Sequence, residues 1–231
     1  MGGERRLSLD PRLSMIAEMV GRCECCADIG CDHGRLGAFL LKTGRCARAQ
    51  LTDISEPSLK KARWLIGRLG LEERMRFCVG DGARALAETP DVAIIAGMGG
   101  TTISKILRDG RESLGGARLI LQPNVGAPEV RAALEEGGWR IDDERIARDG
   151  RRCYAIIAAS PGKARYTERE RIVGPVLLAR MPEELTPYAG FRLRVAKKAL
   201  AGARSATDAA RTAALERETA LWEEICGCLR R

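Results

Sequence analysis

A short apolar segment that runs into an acidic, glycine-containing loop constrains this chain most. Residues 23–29 have the character of a buried strand, residues 30–34 form a Gly-Cys-Asp-His-Gly loop, and a helical pattern follows. In α/β proteins such a unit forms the entrance of a nucleotide-type cofactor site, because glycine lets the backbone approach the ligand. A second apolar segment, residues 47–52, ends in Asp53, whose carboxylate suits ribose hydroxyls. We therefore expect an adenosine-containing cofactor in the first third of the chain.

The rest of the front part alternates short apolar strands with amphipathic helices. Strands are predicted at about 23–28, 47–52, 75–79, 92–96, 118–121, 139–147 and 153–159. Helical patterns separate the first five strands, which predicts an α/β fold with a largely parallel sheet covered on both faces. Only a turn at residues 148–151 joins the last two strands. That turn predicts a hairpin, and therefore one antiparallel strand at an edge of the sheet.

Strand patterns end near residue 160, so we expect domains at residues 1–160 and 161–231. Thr167 and Glu170 have the spacing of a capping box at the start of a helix. Gly174-Pro175 interrupts that helix or ends it. Two long helices are predicted from about residue 187, with a break near residues 205–208. An apolar seven-residue spacing in the second helix favours a coiled-coil-like hairpin. A simple helical cap on the sheet is the alternative.

Charge and composition limit the possible partners. The net charge of +8 is compatible with a polyanion such as RNA, although an arginine-rich chain from a GC-rich genome would also carry it. Residues 160–231 hold 14 Lys and Arg against nine Asp and Glu, so the excess is concentrated there. No apolar stretch reaches the roughly 18 residues of a membrane span, and no signal peptide is apparent. We expect a cytoplasmic monomer.

The nine cysteines are odd in number and irregular in spacing, and His33 is the only histidine. Secreted disulfide frameworks and zinc sites have regular cysteine spacings. The pattern therefore favours free, mostly buried thiols, with no metal site.

Each of the first five strands ends in a polar or glycine-rich cluster, where an open parallel sheet binds ligands. The clusters are Asp28/Gly30, Asp53, Asp81/Gly82, Gly97–Gly100 and Gln122-Pro123-Asn124. A dinucleotide would require a G-x-G-x-x-G loop, and the carboxylates of Asp28 and Asp32 would repel its phosphates. S-adenosylmethionine instead carries an ammonium, a sulfonium and a ribose, which carboxylates suit, and Asp81 could accept from the adenine amino group. The charges favour S-adenosylmethionine.

Four motifs occur in a specific combination: Ala27-Asp28-Ile29-Gly30-x-Asp32-His33, Gly80-Asp81-Gly82, Ala96-Gly97-Met98-Gly99-Gly100 and Leu121-Gln122-Pro123-Asn124. With Leu9-x-x-Arg12-Leu13, Cys153-Tyr154 and Val173-Gly174-Pro175, they make residues 7–177 resemble the bacterial tRNA (adenine-22-N1)-methyltransferase family. The resemblance implies a Rossmann-like class I methyltransferase sheet and a C-terminal helical domain that binds tRNA. It also implies methyl transfer from S-adenosyl-L-methionine to N1 of an adenine in tRNA.

The resemblance and the strand-end clusters together predict the site residues. The residues expected to bind the cofactor are Asp28, Gly30, Asp32, His33, Asp53, Ile54, Asp81, Gly82, Gly97 and Met98. Those expected to contact the substrate are Gly99, Gly100 and Pro123, with Arg192, Arg194, Lys197, Lys198 and Arg204 on the RNA phosphates. Adenine N1 already carries an in-plane lone pair, so the reaction needs alignment and charge stabilisation rather than a general base. Gln122 and Asn124 are the expected positioning residues and acceptors for the developing charge.

Two other functions fit the same sequence. One is a class I methyltransferase that acts on another RNA, a protein or a small molecule, because substrate choice depends on surface shape. The other is a non-catalytic RNA-binding protein on a relic methyltransferase fold. Cofactor binding, followed by identification of the methylated product, separates the three possibilities.

Overall fold

The computed structural model describes residues 7–203 and 208–229. Its strands are β1 (Cys23–Ile29), β2 (Cys46–Asp53), β3 (Met75–Val79), β4 (Val92–Gly99), β5 (Arg118–Val125), β6 (Trp139–Asp149) and β7 (Arg152–Pro161). They form one sheet in the order β3-β2-β1-β4-β5-β7-β6. The first five strands are parallel, and β7 runs antiparallel to both β5 and β6. The predicted α/β fold with a terminal hairpin is confirmed; its antiparallel strand lies between β5 and the outermost strand β6.

Helices cover both faces of the sheet, and their local sequences explain where they begin. The front helices are α1 (Pro11–Val20), α2 (Arg35–Lys42), α3 (Glu56–Leu69), α4 (Gly100–Asp109), α5 (Arg111–Leu114) and α6 (Ala127–Gly137). Asp10 and Ser55 cap α1 and α3 by accepting hydrogen bonds from backbone amides in the first turn. Helices α1 to α3 share one apolar core with the sheet, whereas α4 to α6 share the core on the opposite face.

The C-terminal helices pack on the β6–β7 end of the sheet. They are α7 (Glu168–Val173), α8 (Pro175–Arg180), α9 (Leu185–Ala203) and α10 (Ala209–Cys228). The capping box of Thr167 and Glu170 is present as predicted. Between α9 and α10, Tyr188 meets the buried Trp222 edge to face, with ring centroids 5.7 Å apart. The predicted break between these helices falls mainly within residues 204–207, which lie outside the described residues. The predicted phosphate contact Arg204 therefore lies outside them as well.

A buried ion pair fastens this helical region to the sheet. Arg131 of α6 donates to the carboxylate of Glu144 on β6 at 2.8 Å, and both side chains are fully buried. Arg131 also donates to backbone carbonyls at the end of α7, while Glu144 accepts from two backbone amides in α8. The pair is thus satisfied on both sides, which a buried pair requires in order to be tolerated. Residues after 160 therefore share a core and a polar network with the sheet.

Candidate functional site

A pocket of about 570 Å³ lies beyond the carboxyl ends of β1, β2, β3 and β4. This volume falls in the range of small-molecule and cofactor sites. The structure brings together around it all ten residues predicted to bind the cofactor: Asp28, Gly30, Asp32, His33, Asp53, Ile54, Asp81, Gly82, Gly97 and Met98. Strands distant in sequence meet here because parallel strands direct their carboxyl ends to the same edge.

Asp28 provides a buried carboxylate at the inner wall of the pocket. Its side chain lies at the end of β1 and the residue is only 5% exposed. Burial raises its pKa to about 7, and the neighbouring Asp53 adds to the rise, while a hydrogen bond from the Gly37 amide and the charge of Arg12 oppose it. A carboxylate that is costly to ionise here gains most from a cationic ligand.

Asp53 holds the first loop in place. One carboxylate oxygen accepts from the Asp32 amide at 3.0 Å, and the other accepts from the Ser55 amide at 2.8 Å. Asp32 has φ of 49° and Gly30 has φ of 74°, so the loop turns tightly beneath the pocket. A Cβ on Gly30 would lie 1.9 Å from the Met98 methyl carbon. Asp53 remains partly exposed, and its oxygens retain lone pairs for ribose hydroxyls.

The outer wall of the pocket combines polar and apolar groups. His33 pairs with the carboxylate of Asp32 at 2.5 Å, and both side chains are exposed. The Asp81 carboxylate accepts from the Lys105 ammonium at 3.2 Å, so it already has one cationic partner. Ile54 is 76% exposed beside Asp53 and offers an apolar surface on which a flat ring can pack.

Gln122 and Asn124 support the loop at Gly97 from behind. The Oε1 of Gln122 accepts from Arg12 at 2.6 Å and from the Gly97 amide at 3.1 Å, and its Nε2 donates to Asn124 at 3.1 Å. Asn124 in turn donates to the Gly97 carbonyl at 2.7 Å. Gln122 is fully buried, so it positions the loop rather than accepting charge from a substrate base. The expectation that Gln122 also accepts the developing charge is not supported, because both of its polar atoms already have partners.

Arg12 is the main pocket residue that the predicted set lacks. Its guanidinium lines the pocket near Asp28, binds Gln122, and lies 5.8 Å from the centre of the Tyr154 ring. The only signal in the sequence is its place in the Leu9-x-x-Arg12-Leu13 motif. Leu13, Arg35, Thr102 and Ile106 also line the pocket without having been predicted.

The predicted substrate residues fall into two groups. Gly99, Gly100 and Pro123 lie where β4 pairs with β5 and α4 begins. Gly99 and Gly100 follow the pocket residue Met98 in sequence, but none of the three predicted residues lines the pocket, and Gly100 and Pro123 are buried. A Cβ on Gly100 would lie 2.0 Å from the carbonyl oxygen of Gly126, so this glycine permits close packing of the two loops.

The four described cations of α9 that were predicted to bind RNA differ in their partners. Arg192 pairs with Glu218 at 2.8 Å, lies 6.0 Å from the Trp222 ring and has a side chain only 12% exposed. It stabilises the helical hairpin, and the expectation that it contacts phosphate is not supported. Lys197 pairs with Glu223 at 2.8 Å. Arg194 and Lys198 are exposed and have no ion pair within the described residues.

Two further observations concern the cysteines and the helices. All nine cysteines are free, and the described residues contain no cluster of three side chains that could hold a metal ion. Among the described helices, none has both the length and the apolarity that crossing a bilayer requires.

Comparisons with known proteins show that this chain is similar to methyltransferases. The model of the methyltransferase domain family matches residues 9–157. The tRNA (adenine(22)-N(1))-methyltransferase of Bacillus subtilis is 32% identical over 158 residues, which cover 68% of this chain and 66% of that relative. The match therefore spans just under two thirds of the relative's own length.

Solved structures extend the similarity to the C-terminal helices. The B. subtilis tRNA methyltransferase TrmK superposes with a TM-score of 0.84 at 26% identity and covers 96% of this chain and 100% of its own. Sp1610 of Streptococcus pneumoniae, in complex with S-adenosyl-L-methionine, gives a TM-score of 0.83 at 25% identity, covering 95% and 100% of the two chains. The chain therefore belongs to the methyltransferase domain family, and its similarity to tRNA (adenine(22)-N(1))-methyltransferases extends over the C-terminal helices.

Proposed function

We propose that this protein transfers the methyl group of S-adenosyl-L-methionine to N1 of adenine 22 in tRNA. The observation that carries the proposal is the acidic pocket at the carboxyl ends of the parallel strands, in which ten predicted cofactor residues converge. The named activity of the B. subtilis relative and the cofactor in the S. pneumoniae structure support it.

The residues of the pocket fit this cofactor. Asp28 would bind its ammonium group, and Asp53 its ribose hydroxyls. Arg12 would face its carboxylate, because a guanidinium and a carboxylate on adjacent walls match the two charges of an amino acid. Ile54 would pack on the adenine, and Asp81 would accept from the adenine amino group once Lys105 is shared or displaced. Bound there, S-adenosyl-L-methionine supplies an electrophilic methyl group on a sulfonium centre.

The chain's own residues align the reaction rather than move a proton. N1 of adenine attacks with an in-plane lone pair, so no general base is needed. The loop from Gly97 to Gly100 would hold the base edge. The Gly97 amide donates to Gln122 and the Gly97 carbonyl accepts from Asn124, which keeps this part of the loop fixed. Positive charge develops on the base, and backbone carbonyls of this preorganised loop would stabilise it.

Access to the adenine requires that the base leave its stacked position, which costs a few kcal/mol. Contacts with phosphates elsewhere must offset this cost. We expect the protein to act on tRNA in the cytoplasm as a monomer, with residues 1–160 forming the cofactor site and residues 161–231 contributing to the grip on tRNA.

The experiment is incubation with unmodified tRNA and isotope-labelled cofactor, followed by nucleoside mass spectrometry. We expect 1-methyladenosine, and no product from a matched tRNA in which adenine 22 is replaced by guanine. Label in a guanine, in protein or in a small molecule would favour the other methyltransferase function. Failure to bind the cofactor at all, measured by calorimetry, would favour the relic RNA-binding protein.

A further inference from the structure

We propose that three exposed arginines, Arg148, Arg151 and Arg194, form a phosphate-binding patch that holds the RNA strand next to the methylated adenine. The proposal rests on the proposed function, because it assigns a surface to the tRNA substrate. We call these three residues the arginine patch.

The arginine patch surrounds one groove of about 330 Å³. Arg148 lies near the end of β6, Arg151 lies in the β6–β7 turn, and Arg194 lies on α9. Cys153, Pro187 and Phe191 complete the lining, which contains no carboxylate. Burial raises the pKa of the Cys153 thiol, and the charges of Arg148 and Arg194 oppose that rise.

The three arginines differ from most cations in the described C-terminal region, which are neutralised by acidic partners. Those pairs are Arg165 and Arg171 with Glu135, Arg169 with Glu224, Arg180 with Asp143, Arg192 with Glu218, Lys197 with Glu223, and Arg217 with Glu168. Within the described part of the chain, no member of the arginine patch has an ion pair. Arg148 donates only to the Gly150 carbonyl, at 3.2 Å.

Like charges held around one groove repel each other, and a polyanion removes that repulsion. The nearest acid along the chain is Asp149, the last residue of β6, and it has no ion pair among the described residues either. Guanidinium groups suit phosphate especially well, because their planar donors match its oxygens.

The topology puts the arginine patch at the same edge of the sheet as the cofactor pocket. Leu121 on β5 pairs with Ile157 on β7, and the strands are antiparallel, so residues before Ile157 extend past the carboxyl end of β5. On this register Tyr154 is level with Asn124, and the turn projects further still. The turn lies two strands away from β4, across β5 and β7, and three or four residues further along the strand direction than Gly97. These spacings put the patch on the order of 15 Å from the loop at Gly97.

A physical connection runs between the two places. Tyr154 lies on β7 between the turn and the pocket, and its ring contacts the guanidinium of Arg12, which lines the pocket wall. A strand whose adenine enters the pocket would therefore carry its neighbouring phosphates across the turn. This geometry favours RNA over an acidic protein as the occupant.

The test compares two triple variants that remove the same charge. In the first, Arg148→Gln, Arg151→Gln and Arg194→Gln neutralise the arginine patch. In the control, Lys60→Gln, Lys61→Gln and Arg76→Gln neutralise three exposed cations of α3 and the edge strand β3, which have no ion pair among the described residues. Affinity for unmodified tRNA is measured by fluorescence anisotropy between 50 and 200 mM salt, alongside calorimetry of the cofactor and thermal unfolding.

We expect the patch variant to bind tRNA at least about tenfold more weakly at low salt. The slope of log binding constant against log salt concentration should become shallower by about two to three. Cofactor affinity and thermal stability should match the wild type, and the control should bind tRNA as the wild type does. Asp149→Asn should instead tighten binding. The double variant Arg151→Gln/Arg194→Gln, which leaves the turn contact of Arg148 intact, should show an intermediate loss.

Three outcomes would overturn the proposal. If the wild type methylates tRNA and the patch variant binds tRNA with wild-type affinity, the patch is rejected while the proposed function stands. If the control variant loses as much tRNA affinity as the patch variant, the effect is one of general charge. Binding of an acidic protein through the patch, with tRNA binding unchanged, would replace the occupant. If the wild type neither binds nor methylates tRNA, the proposed function fails first.

Discussion

Binding of the cofactor should be coupled to the loss of a proton from Asp28. In the protein without ligand this carboxyl has a pKa of about 7, chiefly because it is buried. If an ammonium group binds to the ionised form, the affinity follows the ionised fraction, which is about one eleventh at pH 6 and one half at pH 7. The affinity for S-adenosylhomocysteine should therefore rise about fivefold over that unit. About half a proton should be released per molecule bound at pH 7.

The assay is isothermal titration calorimetry at pH 6.0, 6.5 and 7.0 in two buffers with different ionisation enthalpies. The range stops at pH 7, because the ionised fraction of Asp28 rises by the largest factor per pH unit below its pKa. His33 also lines the pocket, so His33→Gln is the matched control and should keep the pH dependence. Asp28→Asn should lose it, along with most of the affinity.

The stability of the ligand-free fold supplies an independent check, because it should fall with rising pH where the cofactor affinity rises. Because the folded pKa lies above the ordinary value of 3.8, Asp28 stabilises the ligand-free fold below about pH 4, and this contribution is lost as the pH rises through 7. Asp28→Asn should accordingly unfold at a higher temperature than the wild type at pH 8. A fivefold rise that persists in Asp28→Asn, or an affinity that stays flat from pH 6 to 7 in the wild type, would refute the coupling.

Three further predictions test the site and its support. Asp53→Ala should weaken cofactor binding by about 1–3 kcal/mol, as measured by calorimetry, because a charged hydrogen-bond partner of the ribose is lost; an unchanged affinity would remove Asp53 from the site. Gly30→Ala should weaken cofactor binding, since its Cβ meets the Met98 methyl and its φ is 74°, and Met98→Ala in the same chain should restore part of it in a thermal-shift titration. Arg131→Met should destabilise the fold by about 3–5 kcal/mol in urea unfolding, because Glu144 is left buried without its cation, and adding Glu144→Leu should recover much of that loss.

The local elements follow closely from the sequence. Asp10 and Ser55 cap their helices as side chains of their type do, and the predicted β3 matches the observed Met75–Val79. The observed β4 and β5 continue three or four residues beyond the apolar segments, because their pairing extends into the glycine-rich and Gln-Pro-Asn motifs. A polar strand end that pairs with its neighbour carries no apolar signal.

The cofactor pocket was predictable because its residues stand at strand ends, and parallel strands bring those ends together. Arg12 was not predictable in this way, since it reaches the pocket from the side of α1 and depends on how that helix crosses the sheet. The same limit applies to Arg192, whose sequence neighbours are cations but whose spatial neighbour is Glu218.

The sequence by itself determined the succession of strands and helices along the chain, the chemistry of the loops, and the class of cofactor. These depend on local periodicity and on residue types at short spacing. Only the tertiary structure decided which charges are neutralised. Ion pairing depends on contacts between residues far apart in the chain, as between Arg131 and Glu144 or Arg217 and Glu168. The net charge of the C-terminal region therefore does not show which of its cations are free to bind a polyanion. The unpaired arginines beside the β6–β7 turn became visible only once the folded chain had matched the other cations with their acids.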